Sequence, residues 1–425
     1  MLKRAAYYTF GCKLNYAETS AIENYFLHAG INTVKTGENP DVVIINACSV
    51  TKGADRRCHN LIHYIKRKYP NTFLVVTGCY AQLYSENSVE IDKIDLLVGL
   101  KEKMNLLKYV LKKKKGVIVS SIGKTKFTYA YSYGNRTRSF LKIQDGCDYT
   151  CSYCIIPSLR GESRNGKISD IVKSVKKLFG KGVKEIVLTG VNIGDFGKST
   201  GENFLNLLEK LDEVDSIGRF RISSIEPNLL SDEIIEFIAS SDHFVPHFHI
   251  PLQSGSDTVL QLMRRKYDTE LIKSKIKKIK FLMSDAFIGL DIIVGMRGEN
   301  NECFNESQFF LENLPFSQLH VFPYSERISS KALSINQEVS SIEKNERCKK
   351  MIVLSEKKYK DFYFSQIGTK HTVLFENISN SDKMYGFTEN YIKVETIYNK
   401  KAVNQLFNIT LGGWNNEMTA LTLNF

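Results

Sequence analysis

Gln144-Asp-Gly-Cys147-Asp-Tyr-Thr-Cys151-Ser-Tyr-Cys154-Ile-Ile-Pro157 is the stretch on which the fold of this chain turns. It follows an apolar run over 139–144 that reads as a strand. It precedes residues 170–179, where Ile171, Val172, Val175, Leu178 and Phe179 share one helical face. Further runs over 185–189, 219–224, 244–251, 289–294 and 319–323 read as strands with helical patterns between them. Six strand–helix repeats make an open, three-quarter (β/α) barrel, short of the eight strands that close one. Chemistry in such barrels sits at the C-terminal ends of the strands, and Gly146 to Cys154 follows the first of them.

The spacing C-x3-C-x2-C brings three thiols together locally. A cubane 4Fe–4S cluster has four irons, and ferredoxin motifs supply four thiolates. Three thiolates leave one iron open to the amino and carboxylate groups of S-adenosylmethionine (SAM), whose reductive cleavage produces a hydrogen-abstracting radical. A structural zinc site completed by a distant ligand is the alternative. Tyr153 either packs on an adenine ring or fills the loop.

Upstream, runs over 5–10, 41–46, 72–77 and 94–98 read as strands, with helices over 18–28 and 54–68. This predicts a small parallel α/β sheet. Cys12, Cys48 and Cys79 each follow one of its first three strands almost at once. The carboxyl ends of parallel strands share one edge, so cysteines far apart in sequence converge there. Auxiliary-cluster ligands and buried or zinc-binding cysteines both remain open on the residues alone. Cys58, Cys303 and Cys348 read as small buried hydrophobes. His59 and His63 stand four apart on a helix and read as packed or exposed side chains before a metal pair. Residues 101–116 read as a helix ending in a solvated lysine run, and 123–135 as a linker.

Downstream, 340–364 is helical in pattern, with Ser340 and Glu343 spaced for a capping box. Runs over 371–375, 391–395, 406–411 and 418–423 alternate as strands of a small all-β barrel. The expected domains are therefore 1–120, 133–364 and 366–425. Lys and Arg total 58 against 46 for Asp and Glu, a net charge of +12 that favours polyanionic partners or serves solubility alone. No apolar run is long enough to span a membrane and no targeting segment opens the chain. A cytoplasmic location without membrane contact is the expectation, with metal or catalytic roles for the nine cysteines rather than a disulfide framework.

Over nearly its whole length the chain resembles the radical SAM methylthiotransferases. The resemblance is carried by Gly11-Cys-Lys-Leu-Asn15, Ile45-Asn-Ala-Cys-Ser-Val-Thr51, Thr77-Gly-Cys-Tyr-Ala-Gln82 and the 144–157 loop. It continues in Ile186-Val-Leu-Thr-Gly190, Arg221-Ile-Ser-Ser-Ile-Glu226, His249-Ile-Pro-Leu-Gln-Ser-Gly-Ser256 and His320-Val-Phe-Pro-Tyr324. It implies two 4Fe–4S clusters, one on Cys147, Cys151 and Cys154 and an auxiliary one on Cys12, Cys48 and Cys79. It implies that the terminal β-barrel stands where the family has its RNA-binding TRAM domain.

The same resemblance implies SAM contacts from Tyr153, Thr189, Gly190, Asn192, Ser223, Ser224, Glu226 and Gln253, with Ser254 and residues 294–299 nearby. Family members usually carry Phe-Pro where Met296-Arg297 stands here. Basic candidates for tRNA are Arg56, Arg57, Arg136, Arg138, Arg160, Arg164, Arg264, Arg265 and Lys266, any one of which alone reads first as a salt-bridged or solvated residue, with Tyr385, Phe387 and Tyr391 as base-stacking or core rings. Gly11 to Asn15 and Asn46 to Arg56 look most like the branch that modifies N6-threonylcarbamoyladenosine at tRNA position 37. Sibling branches act on isopentenyl-type adenosine 37 or a ribosomal-protein aspartate. A non-catalytic iron–sulfur RNA-binding protein is the rival of another class. An external electron donor and sulfur source are expected partners.

Overall fold

A computed structural model describes residues 2–35, 37–84, 91–123, 125–134, 136–216, 218–376 and 382–424. Its N-terminal sheet has six parallel strands in the order Asn32–Thr33, Arg4–Phe10, Val42–Ala47, Phe73–Gly78, Leu96–Val98 and Gly116–Ile118. The central strand Val42–Ala47 is buried throughout, as a parallel strand covered on both faces must be. Val42 and Ile44 pack with Ile22 and Phe26 of the helix Lys13–His28. Val43 and Ile45 face the other way, onto Cys58, Ile62 and Ile65 of the helix Lys52–Lys68. Both edge strands escape the sequence reading because two or three residues carry no period. The helix expected over 101–116 shortens to Leu106–Leu111, and the chain returns to the sheet edge at Gly116.

The six barrel strands all form. Arg138–Lys142, Glu185–Thr189 and Arg219–Ile222 make one parallel sheet, and His247–Gln253, Phe287–Val294 and Gln318–Pro323 another. Single bridges, Phe220 to Phe244 and Ser224 to His249, join the two into one open barrel. The N-terminal module fills the missing quarter. Its helix Lys13–His28 lies against the edge strand Arg138–Lys142. At the other lip Arg327, just past the last strand, donates to Asp55 Oδ2 at 2.7 Å and Ser49 Oγ at 3.0 Å.

The expected linker over 123–135 is a correction for its described part; Lys124 and Asn135 lie outside the described residues. Ser132 N donates to Phe140 O and Lys142 N to Ala130 O, each at 2.9 Å. An edge strand leaves backbone groups that need partners, and this segment supplies them.

The helix Ser341–Ser365 starts on the expected capping box, Ser340 with Glu343. Beyond it Lys370–Phe375, Lys383–Thr388, Lys393–Ile397, Leu421–Asn424 and Leu406–Trp414 close a five-stranded barrel around Val373, Met384, Ile392, Val394 and Leu411. The second strand was not expected, and the third starts after Tyr391, whose φ of +69° belongs to a turn. This barrel docks at the N-terminal ends of the radical-barrel strands. Arg219 donates to the carbonyls of Thr372 at 2.8 Å and Phe387 at 2.9 Å, and Glu185 anchors both Arg219 and Arg221. Among the described residues no helix is long and apolar enough to cross a membrane.

Candidate active site

Cys12 is the N-cap of the helix Lys13–His28, Cys48 follows the strand Val42–Ala47, and Cys79 opens the short helix after Phe73–Gly78. Their meeting depends on two glycines with positive φ. A Cβ on Gly11 would lie 2.6 Å from Cys48 Cβ, and one on Gly78 2.4 Å from Ala47 O. Burial pushes the Cys48 thiol up to about 12, and Cys79 and Cys12 push the same way. Such thiols become thiolates only beside strong positive charge.

Among the described residues, the only three His, Cys, Asp or Glu ligand atoms within 4.8 Å of one another belong to His249, Asp291 and His320. Each cysteine triad is therefore spread beyond the roughly 3.8 Å that Zn–S bonds of about 2.3 Å set between thiolates of one tetrahedron. A cubane, in which each iron takes its own thiolate, suits the wider spread.

The 144–157 loop is tied back on itself. Gly146 has φ +72°, and a Cβ there would meet Glu162 O at 2.0 Å. Cys147 N donates to Gly161 O at 3.0 Å. Backbone N–H groups of Tyr149 and Ile156 point at the sulfurs of Cys147 and Cys154, each at 3.4 Å. Burial pushes Cys147 up to about 11 and Cys154 up to about 12. Arg265 donates to Cys151 Sγ at 3.0 Å and to Tyr153 Oη at 3.2 Å, and is ion-paired with Glu226. Burial pushes Glu226 up to about 7 against the pull of Arg265. The Tyr153 ring packs against the apolar cluster of Val259, Met263 and Met296, which puts the local sequence departure at Met296 inside a core.

Of the two readings of Arg265, RNA contact and salt bridge, the structure shows the second: it is a partner of the loop. Arg160 is likewise salt-bridged, being 2% exposed. It donates to Asp145 Oδ1 at 2.8 Å and Asn15 Oδ1 at 3.1 Å. Glu18 also accepts from Arg160, with Lys103 at 2.5 Å and Lys142 at 3.0 Å. Burial alone would raise the Glu18 carboxyl, but these cations hold it well below its usual range. Arg164 pairs with Asp145 at 3.0 Å, and Arg138, half-buried, with Glu376 at 3.0 Å. Arg56, Arg57, Arg136, Arg264 and Lys266 are the exposed ones.

A cavity of about 510 Å³ opens inside the barrel and is shared by all three modules. Cys12, Lys13 and Tyr16 come from the first; Thr189, Gly190, Ser223 and Ser224 from strand ends of the second; Tyr391 from the third. Asn192, Glu226 and Gln253 are not on its wall. The amides of Val191 and Asn192 donate to Gln144 Oε1 at 2.9 and 2.8 Å, and the Asn192 side chain donates to Asp195. Gln144 thus shapes the loop after the second strand, a role the sequence reading missed. It also missed His249, Asp291 and His320, although alternation places them inside the strands: Asp291 Oδ1 lies 2.8 Å from His249 Nε2 and 3.1 Å from His320 Nδ1. Phe387 and Tyr391 stack on each other at 5.0 Å with Arg138 over both rings, facing the radical barrel. Tyr385 lies under the ammonium of Lys393. His59 sits among Tyr80 and Tyr84, His63 beside Lys93, and neither joins a metal-ligand group among the described residues. Cys58 and Cys303 are buried and Cys348 is half-buried.

Residues 141–311 match the Radical SAM superfamily model, and residues 4–99 the model described as Uncharacterized protein family UPF0004. Over 92% of its length the chain is 38% identical to a threonylcarbamoyladenosine tRNA methylthiotransferase MtaB of Bacillus subtilis, covering 89% of that protein. The corresponding protein of Aquifex aeolicus is 35% identical over 92% of this chain and 96% of its own. A tRNA-2-methylthio-N(6)-dimethylallyladenosine synthase of Clostridium botulinum is 30% identical over 95% of this chain and 93% of its own. Among solved structures, the radical SAM methyltransferase TsrM of Kitasatospora setae superposes with TM-score 0.56 at 12% identity, covering 75% of this chain and 73% of that one.

Proposed function

The chain belongs to the threonylcarbamoyladenosine tRNA methylthiotransferases, and on that premise we propose that it adds a methylthio group to carbon 2 of N6-threonylcarbamoyladenosine at position 37 of tRNA. It is a radical SAM enzyme with two 4Fe–4S clusters. Cys147, Cys151 and Cys154 would hold one and Cys12, Cys48 and Cys79 the other; when bound, the pair supplies SAM-derived hydrogen abstraction and sulfur for insertion.

The observation that carries this reading is the shared cavity. Cys12 of the auxiliary triad and the strand-end residues Thr189, Gly190, Ser223 and Ser224 line one space of about 510 Å³. A substrate carbon placed there lies beside Cys12 and the strand ends where SAM contacts are expected, an arrangement that a sensor without turnover does not need. Gln144 and Arg265 orient the loop side, and the Arg160 network keeps the two modules in register. Greater identity to the threonylcarbamoyl relatives than to the dimethylallyl one favours the threonylcarbamoyl substrate. Electrons and sulfur come from donors outside the chain, and the enzyme acts on tRNA in the cytoplasm.

Mass spectrometry of tRNA nucleosides from a strain lacking the protein tests the assignment. The methylthio form of threonylcarbamoyladenosine should vanish while its precursor accumulates. Undiminished methylthio nucleoside, with no second such enzyme in the strain, would sink it.

A further inference from the structure

Four cations line the shared cavity: Lys13, Arg136, Arg138 and Arg221; Arg136 is exposed and lies over the Tyr16 and Phe140 rings. Two are satisfied by the protein. Arg221 is bound to Glu185 at 2.8 Å and to the Glu389 carbonyl at 2.9 Å. Arg138 is bound to Glu376 at 3.0 Å and lies over the rings of Phe387 and Tyr391. Lys13 differs. Its side chain is half-buried, lines the cavity wall, and has no hydrogen bond or ion pair among the described residues. A cation withdrawn from water without a partner is costly, and the cost is offset when a ligand brings an anion.

The residue's place narrows the anion. Lys13 follows Cys12 directly and both line the cavity, so whatever Lys13 binds shares that space with one cysteine of the auxiliary triad. The substrate assigned above carries one anionic group apart from its phosphates, the carboxylate of the threonyl unit on N6. Carbons 2 and 6 of adenine flank N1 on the same edge of the ring. Holding the N6 substituent at Lys13 therefore keeps carbon 2 within the space that Cys12 lines. His249 and His320, which hold the Asp291 carboxylate between them, line the same cavity.

We propose that Lys13 is the carboxylate anchor of the substrate site, binding the threonyl carboxylate of N6-threonylcarbamoyladenosine and orienting carbon 2 for sulfur insertion. The inference rests on the substrate assignment made above. SAM also carries a carboxylate, but it belongs with the Cys147, Cys151 and Cys154 loop, none of whose cysteines lines this cavity.

The test uses full-length, anaerobically reconstituted enzyme and anticodon stem-loop RNAs bearing the free acid or its neutral primary amide. Wild type should show a KM roughly ten- to hundredfold higher for the amide, the range of a charge-assisted hydrogen bond. Lys13→Gln should raise KM for the acid by a similar factor, change little for the amide, and be partly rescued in Lys13→Arg. Wild type that turns over acid and amide equally well overturns the anchor alone, without reliance on any variant. A Lys13→Gln defect equal on both RNAs, or one that appears as a raised KM for SAM, also overturns it. Wild type that leaves the acid stem-loop unmodified overturns the substrate assignment, and the anchor with it.

Discussion

Arg160 donates from Nη2 to Asn15 Oδ1 at 3.1 Å, across 145 positions of sequence. The contact joins the segment after Cys154 to the segment after Cys12, so one buried guanidinium sets the two cysteine triads against each other. Its other hydrogens go to Asp145 and Glu18, both buried.

Arg160→Met should therefore destabilise the protein by about 3–5 kcal/mol, the cost of leaving buried charges without their partner. Urea unfolding at neutral pH measures it. A loss below about 1 kcal/mol would mean that Lys103 and Lys142 alone satisfy Glu18.

Arg265→Lys keeps the charge and loses the planar fork that reaches Cys151, Tyr153 and Glu226 together. Partners of metal ligands typically contribute about ten- to hundredfold in metal affinity or activity. The variant should form 5′-deoxyadenosine from SAM at least roughly tenfold more slowly in single turnover while its auxiliary-site iron stays in place. A wild-type rate would show that Arg265 is mere packing.

Glu185 ties Arg219 and Arg221 to each other and thereby to the C-terminal barrel. Burial would raise its carboxyl, but Arg221 and Arg219 hold it far below the usual range. A depressed native value means a contribution fully present above the unfolded carboxyl value of about 4.3 and lost as pH falls below it. Glu185→Gln should cost about 3–5 kcal/mol at pH 7, and the gap from wild type should narrow in melts run from pH 5 down to pH 3. A gap independent of pH in that window would contradict the ion-pair account.

Cys48→Ala should lower the iron content of reconstituted protein from about eight to about four per chain. SAM cleavage should continue and sulfur insertion should stop. Retention of about eight irons, or sulfur insertion in a variant lacking Cys12, Cys48 and Cys79 together, would remove the auxiliary triad from the mechanism.

Much of the fold was legible because its strands are short apolar runs at regular intervals. Val42–Ala47 and Glu185–Thr189 are buried along their whole length, and runs of 6 and 5 residues have the length of strands rather than of helices. The edge strands Asn32–Thr33 and Gly116–Ile118 were not legible, since pairing with a neighbour, not their own pattern, makes them strands. The cysteines were legible for the same reason as the strands: each stands at a strand end. The arginines were not. Charge alone left Arg160 and Arg265 open between a nucleic acid and a salt bridge, and both are spent in ion pairs inside the protein.

The sequence by itself determined the six-strand barrel, the sheet before it, the small β-barrel after it and the two cysteine triads. Those features depend on local period and on spacing, which a linear chain carries in full. Only the tertiary structure decided which charges are free. Arg138, Arg160, Arg221 and Arg265 meet their partners across long sequence separations, and Lys13 is left with none among the described residues. Ion pairing is a property of distance and burial, and no run of letters states either.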